Sequence, residues 1–573
     1  MKNNPNHRKP FAAKAAAILL AAMITMTGCG AGAAAMTENS AAAGQTTEQA
    51  AEQSAEAQTT ASQTTAASQS EMFTERDLSG EYDESQAVSV SLNGTAAEAS
   101  SSSGITVDGS TVTITAEGTY IFTGTLNDGQ IIVDADESAK VQIVLKDASV
   151  TSSASAALYV KSADKVFVTT AAGTSNTLAN GGTFTAIDES NIDAAVFAKD
   201  DITFNGSGSL SIESPSGHGV AGKDDVKFAG GTYTITAAKH GVQANDSVRV
   251  SGADISITAG EKDGIHVSDD SDENADGYFY IADGTVTIAA GDDGIHADGK
   301  ILTEGGTITV IKSYEGLEAL DISIAGGEIS VVASDDGLNA AGGTTAGNNT
   351  FGDDDWGGGK GFSDGGTNGS ISISGGNIRI TAGGDGVDSN GSVEISGGNT
   401  VVQGPSQGDT SVLDYNSGAT VTGGVFIGTG GAGMAENFNS AENQGIVALN
   451  VGNQSAGSKV IVTDSSGNVL AETEPALDYA VVYISTPDMA QGGTYTVTAG
   501  TYSETITLDQ AVYSSIGGGM RGGMRGGMKG GQGPGGGMLG NDMQRDDMQR
   551  GDMQGGSPDA TTGASVLQEE QGV

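Results

Sequence analysis

The strongest constraint on this chain is a three-residue motif, [D/E/H]-G-[I/L/V], that recurs about every 22 residues in its middle part. The motif glycines are 22, 23, 30, 22, 21 and 49 residues apart, and each motif precedes short strand-like runs. A fixed period with local insertions is typical of a solenoid, in which each repeat buries its apolar face only against its neighbours. The copies are His218-Gly219-Val220, His240-Gly241-Val242, Asp263-Gly264-Ile265, Asp293-Gly294-Ile295, Glu315-Gly316-Leu317, Asp336-Gly337-Leu338 and Asp385-Gly386-Val387.

The residues between the motifs alternate apolar and polar side chains, as in Thr307-Ile308-Thr309-Val310 after Gly305-Gly306. Such alternation predicts strands with one inward face, and paired glycines predict tight corners. We therefore predict an all-β protein, a parallel β-helix with rungs of about 22 residues. Greek-key sandwiches and propellers are the alternatives, but their repeats are longer or absent. Stacked Ile, Val and Ala would fill the core, so an aromatic content of only 5% is no obstacle.

The N-terminus has the pattern of a lipoprotein signal peptide over residues 1–28. Basic residues precede an apolar run from Ala15 to Met26, which is too short to cross a bilayer comfortably. The run is followed by Thr27-Gly28-Cys29, which resembles a bacterial lipobox, so we predict lipidation at Cys29. An incidental cysteine in an ordinary signal peptide is the alternative. We expect an extracytoplasmic lipoprotein of the cell membrane, exposed at the bacterial surface, without a disulfide because Cys29 is the only cysteine.

Composition divides the rest of the chain into four segments. Residues 29–86 are rich in Ala, Ser, Thr and Gln and predict a flexible stalk. Residues 87–440 hold the predicted β-helix, and residues 441–515 predict a small β cap or sandwich over its open end. Residues 516–573 are rich in Gly, Met and Arg and predict a disordered tail, although Met-rich sequence can also bind soft metals.

The chain is strongly acidic, with 72 Asp and Glu against 25 Lys and Arg and a formal net charge of -47. Nucleic acid is therefore excluded as an expected partner, since its phosphates would be repelled. If the rungs stack in register, the acids of the motif form a column with neighbours about 4.8 Å apart. Bare carboxylates at that distance repel by about 3.5 kcal/mol at an effective dielectric of 20.

Calcium would relieve this repulsion, because Ca²⁺ selects six to eight oxygen ligands. The alternative is a solvated face whose charges spread into water or take up protons. The predicted calcium ligands are Asp263, Asp292, Asp293, Asp298, Glu315, Glu318, Asp335, Asp336, Asn339, Asp385 and Asp388.

An insertion in the third motif repeat offers a second calcium candidate. Asp272, Asn274 and Asp276, followed by Gly277, satisfy D-x-[DN]-x-[DN]-G, the opening of an EF-hand loop. The surrounding residues predict strands, so a helix-loop-helix hand is not expected. A plain solvated turn is the alternative.

Sugar-binding candidates are few because aromatic residues are sparse. We predict ligand contacts at Trp356, Tyr314, His266 and His296. Trp356 lies in a polar, glycine-rich insertion, so it is either a ligand platform or an exposed loop tip.

The repeats also resemble a known family. The runs Asp293-Gly294-Ile295-His296-Ala297-Asp298 and Asp336-Gly337-Leu338-Asn339-Ala340, the Gly-Gly-x-Ile strands and the Gly/Met-rich end resemble the bacterial β-helical carbohydrate-binding domain family. The resemblance covers about residues 90–515 and leaves out the insertion 341–369. It implies calcium bound along the helix, affinity for acidic plant sugars and cellulose, and a fold similar to that of calcium-dependent pectate lyases.

Three functions remain open. The first, which we favour, is calcium-dependent binding of acidic or plant cell-wall polysaccharide by a non-catalytic, lipid-anchored monomer. A divalent ion would bridge the carboxylates of protein and polyuronate, which otherwise repel. The second is a calcium-dependent lyase with Lys312 or Lys262 as the base. The third is a structural surface protein or adhesin. The lipid anchor is the only membrane contact expected.

Overall fold

A computed structural model describes residues 69–268, 277–341, 369–406, 408 and 410–516. They lie in one of the chain's two units, Met1–Gly519. The predicted signal peptide with Cys29, the loop residues Asp272, Asn274 and Asp276, residue Trp356 and the tail lie outside the described residues. None of the helices described is long and apolar enough to cross a membrane.

The N-terminal part contains a short helix, preceded by four helical residues at 69–72, and ten strands. They are α1 (Glu75–Leu78), β1 (Val88–Gly94), β2 (Ala97–Ala99), β3 (Ile105–Asp108), β4 (Thr111–Ile114), β5 (Gly118–Leu126), β6 (Gln130–Asp134), β7 (Lys140–Ser152), β8 (Leu158–Ser162), β9 (Lys165–Thr170) and β10 (Ser175–Asn180). Strands β1 and β2 pair antiparallel, as do β3 and β4, whereas β5 to β10 pair in parallel.

The repeats follow as a long series of short strands. They are β11 (Ala194–Ala198), β12 (Asp201–Gly206), β13 (Ser209–Ser214), β14 (His218–Gly222), β15 (Val226–Ala229), β16 (Thr232–Ala237), β17 (Val242–Ala244), β18 (Ser247–Ser251), β19 (Ala253–Ala259), β20 (Ile265–Val267), β21 (Tyr278–Ile281), β22 (Gly284–Ala289), β23 (Ile295–Thr303), β24 (Thr307–Ser313), β25 (Leu317–Ile324), β26 (Glu328–Ala333), β27 (Leu338–Ala340), β28 (Ser370–Ile373), β29 (Asn377–Ala382), β30 (Val387–Ser389), β31 (Ser392–Ile395), β32 (Asn399–Gln403), β33 (Leu413–Tyr415), β34 (Gly418–Val421), β35 (Val425–Gly430) and β36 (Ser440–Ala441).

Strands of successive repeats pair in parallel and in register, which sorts them into three columns. The first column holds the motif strands β8, β11, β14, β17, β20, the start of β23 and of β25, then β27, β30 and β33. The second runs from β9 through β12, β15, β18 and β21 to β34 and β36. The third runs from β10 through β13, β16, β19 and β22 to β35. The protein is therefore nearly all β, with a long and mainly parallel sheet.

The core explains the motif glycine. In the third column, Ile257 pairs with Ile288, which pairs with Val310, and all three are buried. A Cβ on Gly264 would lie 2.3 Å from Ile288 Cγ2, and a Cβ on Gly294 would lie 2.8 Å from Val310 Cγ2. Because real Cβ atoms do not approach so closely, the corners at Gly264 and Gly294 have room for glycine only.

The C-terminal segment forms a second core. Its strands are β37 (Gly445–Gln454), β38 (Val460–Asp464), β39 (Val469–Thr473), β40 (Tyr479–Thr486), β41 (Thr494–Ala499), β42 (Tyr502–Thr507) and β43 (Val512–Ser514). Strands β39, β38, β41 and β42 make a separate four-stranded sheet. Its buried side chains pack with those of β37 and β40, while β40 pairs antiparallel with β35. The last strand of the third column is thus covered, which removes an open sheet edge.

Residues 69–86, predicted as part of the stalk, differ from that prediction. Helix α1 carries a capping box between Thr74 and Asp77, and Phe73 and Asp77 are buried. The Asp77 carboxylate lies 2.7 Å from Lys165 Nζ of β9. The prediction was wrong here because composition describes local preference, whereas these contacts come from strands far along the chain.

Candidate metal and ligand site

The motif residues stack one above another, as the repeat predicts. The backbone N–H of Gly264 donates to the backbone carbonyl of Asp293. Gly294 donates in the same way to Glu315, and Gly316 to Asp336, with a distance of 2.9 Å in each case. We call the residues before the motif glycines the motif row: His218, His240, Asp263, Asp293, Glu315, Asp336 and Asp385. We call those two after the glycines the strand row: Ala221, Gln243, His266, His296, Glu318, Asn339 and Asp388, which pair in register.

Side chains of the motif row share one local task, which is to accept a hydrogen bond from the next repeat. Oδ1 of Asp263 accepts from the N–H of Asp293 at 3.1 Å, and Oδ1 of Asp293 accepts from the N–H of Glu315 at 3.0 Å. Nδ1 of His240 does the same for Asp263 at 3.2 Å. These bonds fix each side chain against the backbone, so the other oxygen of each aspartate remains for other partners.

The two rows bring ligand atoms within 4.8 Å of one another in four groups. The groups are His240, Asp263 and His266; Asp263, Asp293 and His296; Asp293, Glu315 and Glu318; and Asp336, Asp385 and Asp388. The first two contain histidine, and the last two contain carboxylates alone. The two rows therefore have a histidine end, formed by the first two groups, and a carboxylate end, formed by the last two.

The carboxylate end is electrostatically strained. Burial, together with the charges of nearby acids, raises the pKa of Asp336 to about 6 and that of Asp385 to about 7. Burial and the charge of Glu318 raise the pKa of Glu315 to about 8. These carboxyls favour protons because burial and the neighbouring acids both disfavour their charged forms.

A buried oxygen tests whether a cation fits here. Asn339 is 7% exposed, and its amide donates to Glu315 Oε2 at 2.7 Å. Its Oδ1 is buried and has no hydrogen-bond partner among the described residues. In the strand row Asn339 lies between Glu318 and Asp388. An unsatisfied carbonyl oxygen beside carboxylates is a donor set that fits a hard cation such as Ca²⁺.

At the histidine end, a protonated histidine compensates the charge of the carboxylates. His296 Nδ1 lies 2.5 Å from Glu318 Oε2, and its Nε2 lies 3.3 Å from Asp298 Oδ1. Burial lowers the pKa of His296, but hydrogen bonds with Asp293, Asp298 and Glu318 outweigh it and raise the pKa well above its usual value. His296 is therefore a cation at neutral pH, and it compensates acids that were predicted as calcium ligands.

The remaining predicted residues lie at the edge of the rows. Asp292 is partly exposed, and its carboxylate lies 3.8 Å from Lys262 Nζ. Tyr314 is 50% exposed and hydrogen-bonds to Asp335, which raises the pKa of Tyr314 to about 12. Lys312 is exposed on β24, and no ion pair to its side chain is found in the described part of the chain.

Sequence reasoning missed the next member of each row. Asp414 continues the strand row in register with Asp388, and Ser411 continues the motif row by accepting the N–H of Gly386. The motif was not recognised there because Val412 replaces its glycine. The similarity of Leu413-Asp414 to Val387-Asp388 is the signal that could have revealed it.

Part of the chain is similar to proteins described as carbohydrate-binding. Residues 108–353 match a family model described as "Carbohydrate-binding domain-containing protein". A protein with that description from Acetivibrio thermocellus is 38% identical over 136 residues, 23% of this chain and 48% of that protein. The chain thus spans about half the length of this relative. A solved structure, the gadolinium derivative of the polysaccharide lyase-like protein from C. thermocellum, is 31% identical, with a TM-score of 0.36. That match covers 44% of this chain and 96% of the other.

The matched segment contains the motif row from His218 to Asp336. The class defined by fold and comparison is therefore an all-β protein with a segment similar to a carbohydrate-binding domain.

Proposed function

We propose that the protein is a calcium-dependent binder of acidic polysaccharide, built as a parallel β-helix with rungs of about 22 residues. The observation that carries the proposal is the group Asp336, Asp385 and Asp388 beside the unsatisfied Oδ1 of Asn339. It offers oxygen ligands alone. Asp336 and Asn339 lie within the segment 108–353 that matches a carbohydrate-binding family model, and Asp385 and Asp388 belong to the next repeat.

Calcium would serve as the link between two acidic partners. With a net charge of -47 the protein repels a polyuronate, and a divalent ion bound by the rows reverses the sign of the local field. Asp336, Asp385, Asp388 and the Asn339 carbonyl would hold the ion. The pKa shifts of the carboxyls support this role, since a bound cation would offset the burial and the repulsion between acids that raise these pKa values.

An exposed apolar surface beside the rows would contact the sugar rings. Tyr314 is 50% exposed, Ile311 of β24 is 56% exposed and Val332 of β26 is 46% exposed. Strands β24 and β26 are neighbours, and Tyr314 hydrogen-bonds to Asp335 next to the motif row. A tyrosine face with flanking aliphatic groups suits the apolar face of a pyranose ring.

The proposal includes the cellular setting. Lipidation at Cys29 would tether a monomer to the cell membrane, and the stalk would hold its binding surface away from the bilayer. Polysaccharide outside the cell is then the partner within reach.

The proposed activity is binding without cleavage. A lyase needs a base that can lose its proton near the sugar, usually one whose pKa a neighbouring group lowers. Lys312 is solvent-exposed, and Lys262 Nζ lies 3.8 Å from the carboxylate of Asp292, so neither side chain is positioned as a base by the described residues around it.

Retention on immobilised polygalacturonate tests the proposal. We expect the chain to bind in calcium and to elute in chelator, with no growth of ultraviolet absorbance from unsaturated ends. Asp336→Asn/Asp385→Asn should abolish retention, whereas the exposed control Asp108→Asn/Asp254→Asn should keep it. Sustained absorbance that disappears in Lys312→Ala would favour the lyase. Failure to bind any acidic glycan in calcium would favour a structural role.

A further inference from the structure

The histidine end contains a stack of imidazole rings that the proposed function does not use. His218, His240, His266 and His296 follow one another with ring centroids 5.0, 4.5 and 5.0 Å apart. They are four of the five histidines in the chain. The stack crosses from the motif row, which holds His218 and His240, to the strand row, which holds His266 and His296.

Asp263 lies between two of these rings. Its Oδ2 is 3.3 Å from His240 Nδ1 and 2.7 Å from His266 Nδ1. All three side chains are largely buried, with exposed fractions of 12% for His240, 6% for Asp263 and 23% for His266. Two imidazole nitrogens and a carboxylate oxygen thus converge at one point, reached by solvent mainly past His266.

We propose that His240, Asp263 and His266 form a second metal site, selective for a borderline divalent cation of the Zn²⁺ type. Imidazole nitrogen suits such cations, whereas calcium prefers oxygen. Two histidines and one carboxylate are also a common protein ligand set for zinc, with the fourth position left to water or to a group of a bound molecule.

The spacing of the donor atoms supports this assignment. Ligands at about 2.0–2.1 Å in tetrahedral geometry lie about 3.3 Å from one another. The separation between His240 Nδ1 and Asp263 Oδ2 is 3.3 Å already, and that between His266 Nδ1 and Asp263 Oδ2 is 2.7 Å. A metal ion would replace the proton shared in the shorter contact, and His240 would exchange the N–H of Asp263 for the ion.

The carboxylate is oriented by the next repeat. Oδ1 of Asp263 accepts the backbone N–H of Asp293 at 3.1 Å, which directs Oδ2 toward the two rings. Such hydrogen bonds to a ligating group fix its geometry and contribute to metal affinity. The neighbouring His296 does not compete for the site, because Glu318 and Asp298 already occupy its two nitrogens.

The test uses the full chain without a histidine tag, stripped by chelator and then saturated with calcium so that the oxygen ligands are filled. Zinc is then titrated into the calcium-loaded chain by calorimetry, and it should bind at one site that calcium has not filled. His240→Gln/His266→Gln should weaken this binding by about 100-fold or more while calcium binding persists. The matched variant Asp336→Asn/Asp385→Asn should retain zinc and lose calcium, so failure of this proposal is distinguishable from failure of the calcium proposal.

A second measurement uses the parent chain, so its result does not depend on whether the variants fold. X-ray absorption at the zinc edge should show two imidazole ligands in the zinc-loaded chain. Zinc bound by oxygen alone, zinc affinity unchanged in His240→Gln/His266→Gln, or displacement of zinc by calcium would each overturn the second site.

Discussion

Replacing Asp336 and Asp385 by asparagine separates charge from hydrogen bonding at the carboxylate end. In each variant the Oδ1 carbonyl can still accept the backbone N–H that the carboxylate accepts now, from Asp385 and Ser411 respectively. Only the negative charge is lost. We therefore expect Asp336→Asn/Asp385→Asn to change how stability depends on pH and calcium while the fold persists.

The direction follows from the pKa values. Burial raises the pKa of Asp336 from 3.8 to about 6 and that of Asp385 from 3.8 to about 7. Between pH 4 and pH 7 the unfolded chain releases protons that the folded chain keeps, so without calcium the free energy of unfolding falls as pH rises. The penalty is absent below pH 4 and complete above about pH 7.

The magnitude is a few kcal/mol. One pKa unit corresponds to about 1.36 kcal/mol. Solvent reaches both groups and their charges interact, so we discount the full value and expect the free energy of unfolding without calcium to fall by about 2–4 kcal/mol in total. Calcium at about 100 times its dissociation constant would raise the free energy of unfolding by about 2.7 kcal/mol. With an unfolding entropy on the order of 1 kcal/mol/K for a chain of this length, either change moves the melting temperature by a few degrees.

Thermal unfolding in calcium and in chelator, from pH 4.5 to pH 8, measures the effect. The curves should meet at low pH and separate as pH rises. The Asn variant should show a smaller slope in chelator, because Glu315 still titrates with a raised pKa, and it should lose the gain in calcium. Asp108→Asn/Asp254→Asn, with exposed side chains, should behave as the parent chain. Identical profiles for the parent chain in calcium and chelator at every pH would refute the reasoning.

Two further changes test the fold around the rows. Gly264→Ala should lower stability by about 1–3 kcal/mol, because the new Cβ would lie 2.3 Å from Ile288 Cγ2; an unchanged melting temperature would contradict the corner packing. Asp77→Ala removes the nearer of the two carboxylates that pair with buried Lys165 and the acceptor of the Thr203 hydroxyl, so limited proteolysis should cut within residues 69–86 faster than in the parent chain. Equal cleavage in Asp77→Ala and in the exposed control Glu75→Ala would show that this segment is held by other contacts.

The repeat itself was predictable because its information is local. A glycine about every 22 residues, with Asp, Glu or His before it, sets which residue of one repeat meets which residue of the next. His266, His296, Glu318 and Asn339 accordingly lie in register in the strand row. All-β character, the position of the rows and the excess of acid within them follow from the sequence by the same reasoning.

Tertiary structure decided how the side chains of those rows are used. Only the folded chain shows that His296 is held by Glu318 and Asp298. It also shows that Asn339, next to Asp388 in the strand row, has a side-chain oxygen without a hydrogen-bond partner among the described residues. Both depend on which rotamers fit between neighbouring repeats and on burial, neither of which periodicity reports. The same physics accounts for Asp77, whose partners on distant strands make an apparently featureless segment part of the fold. The periodicity of the sequence thus determined the positions of the side chains in the two rows, and tertiary packing determined the partners of each side chain.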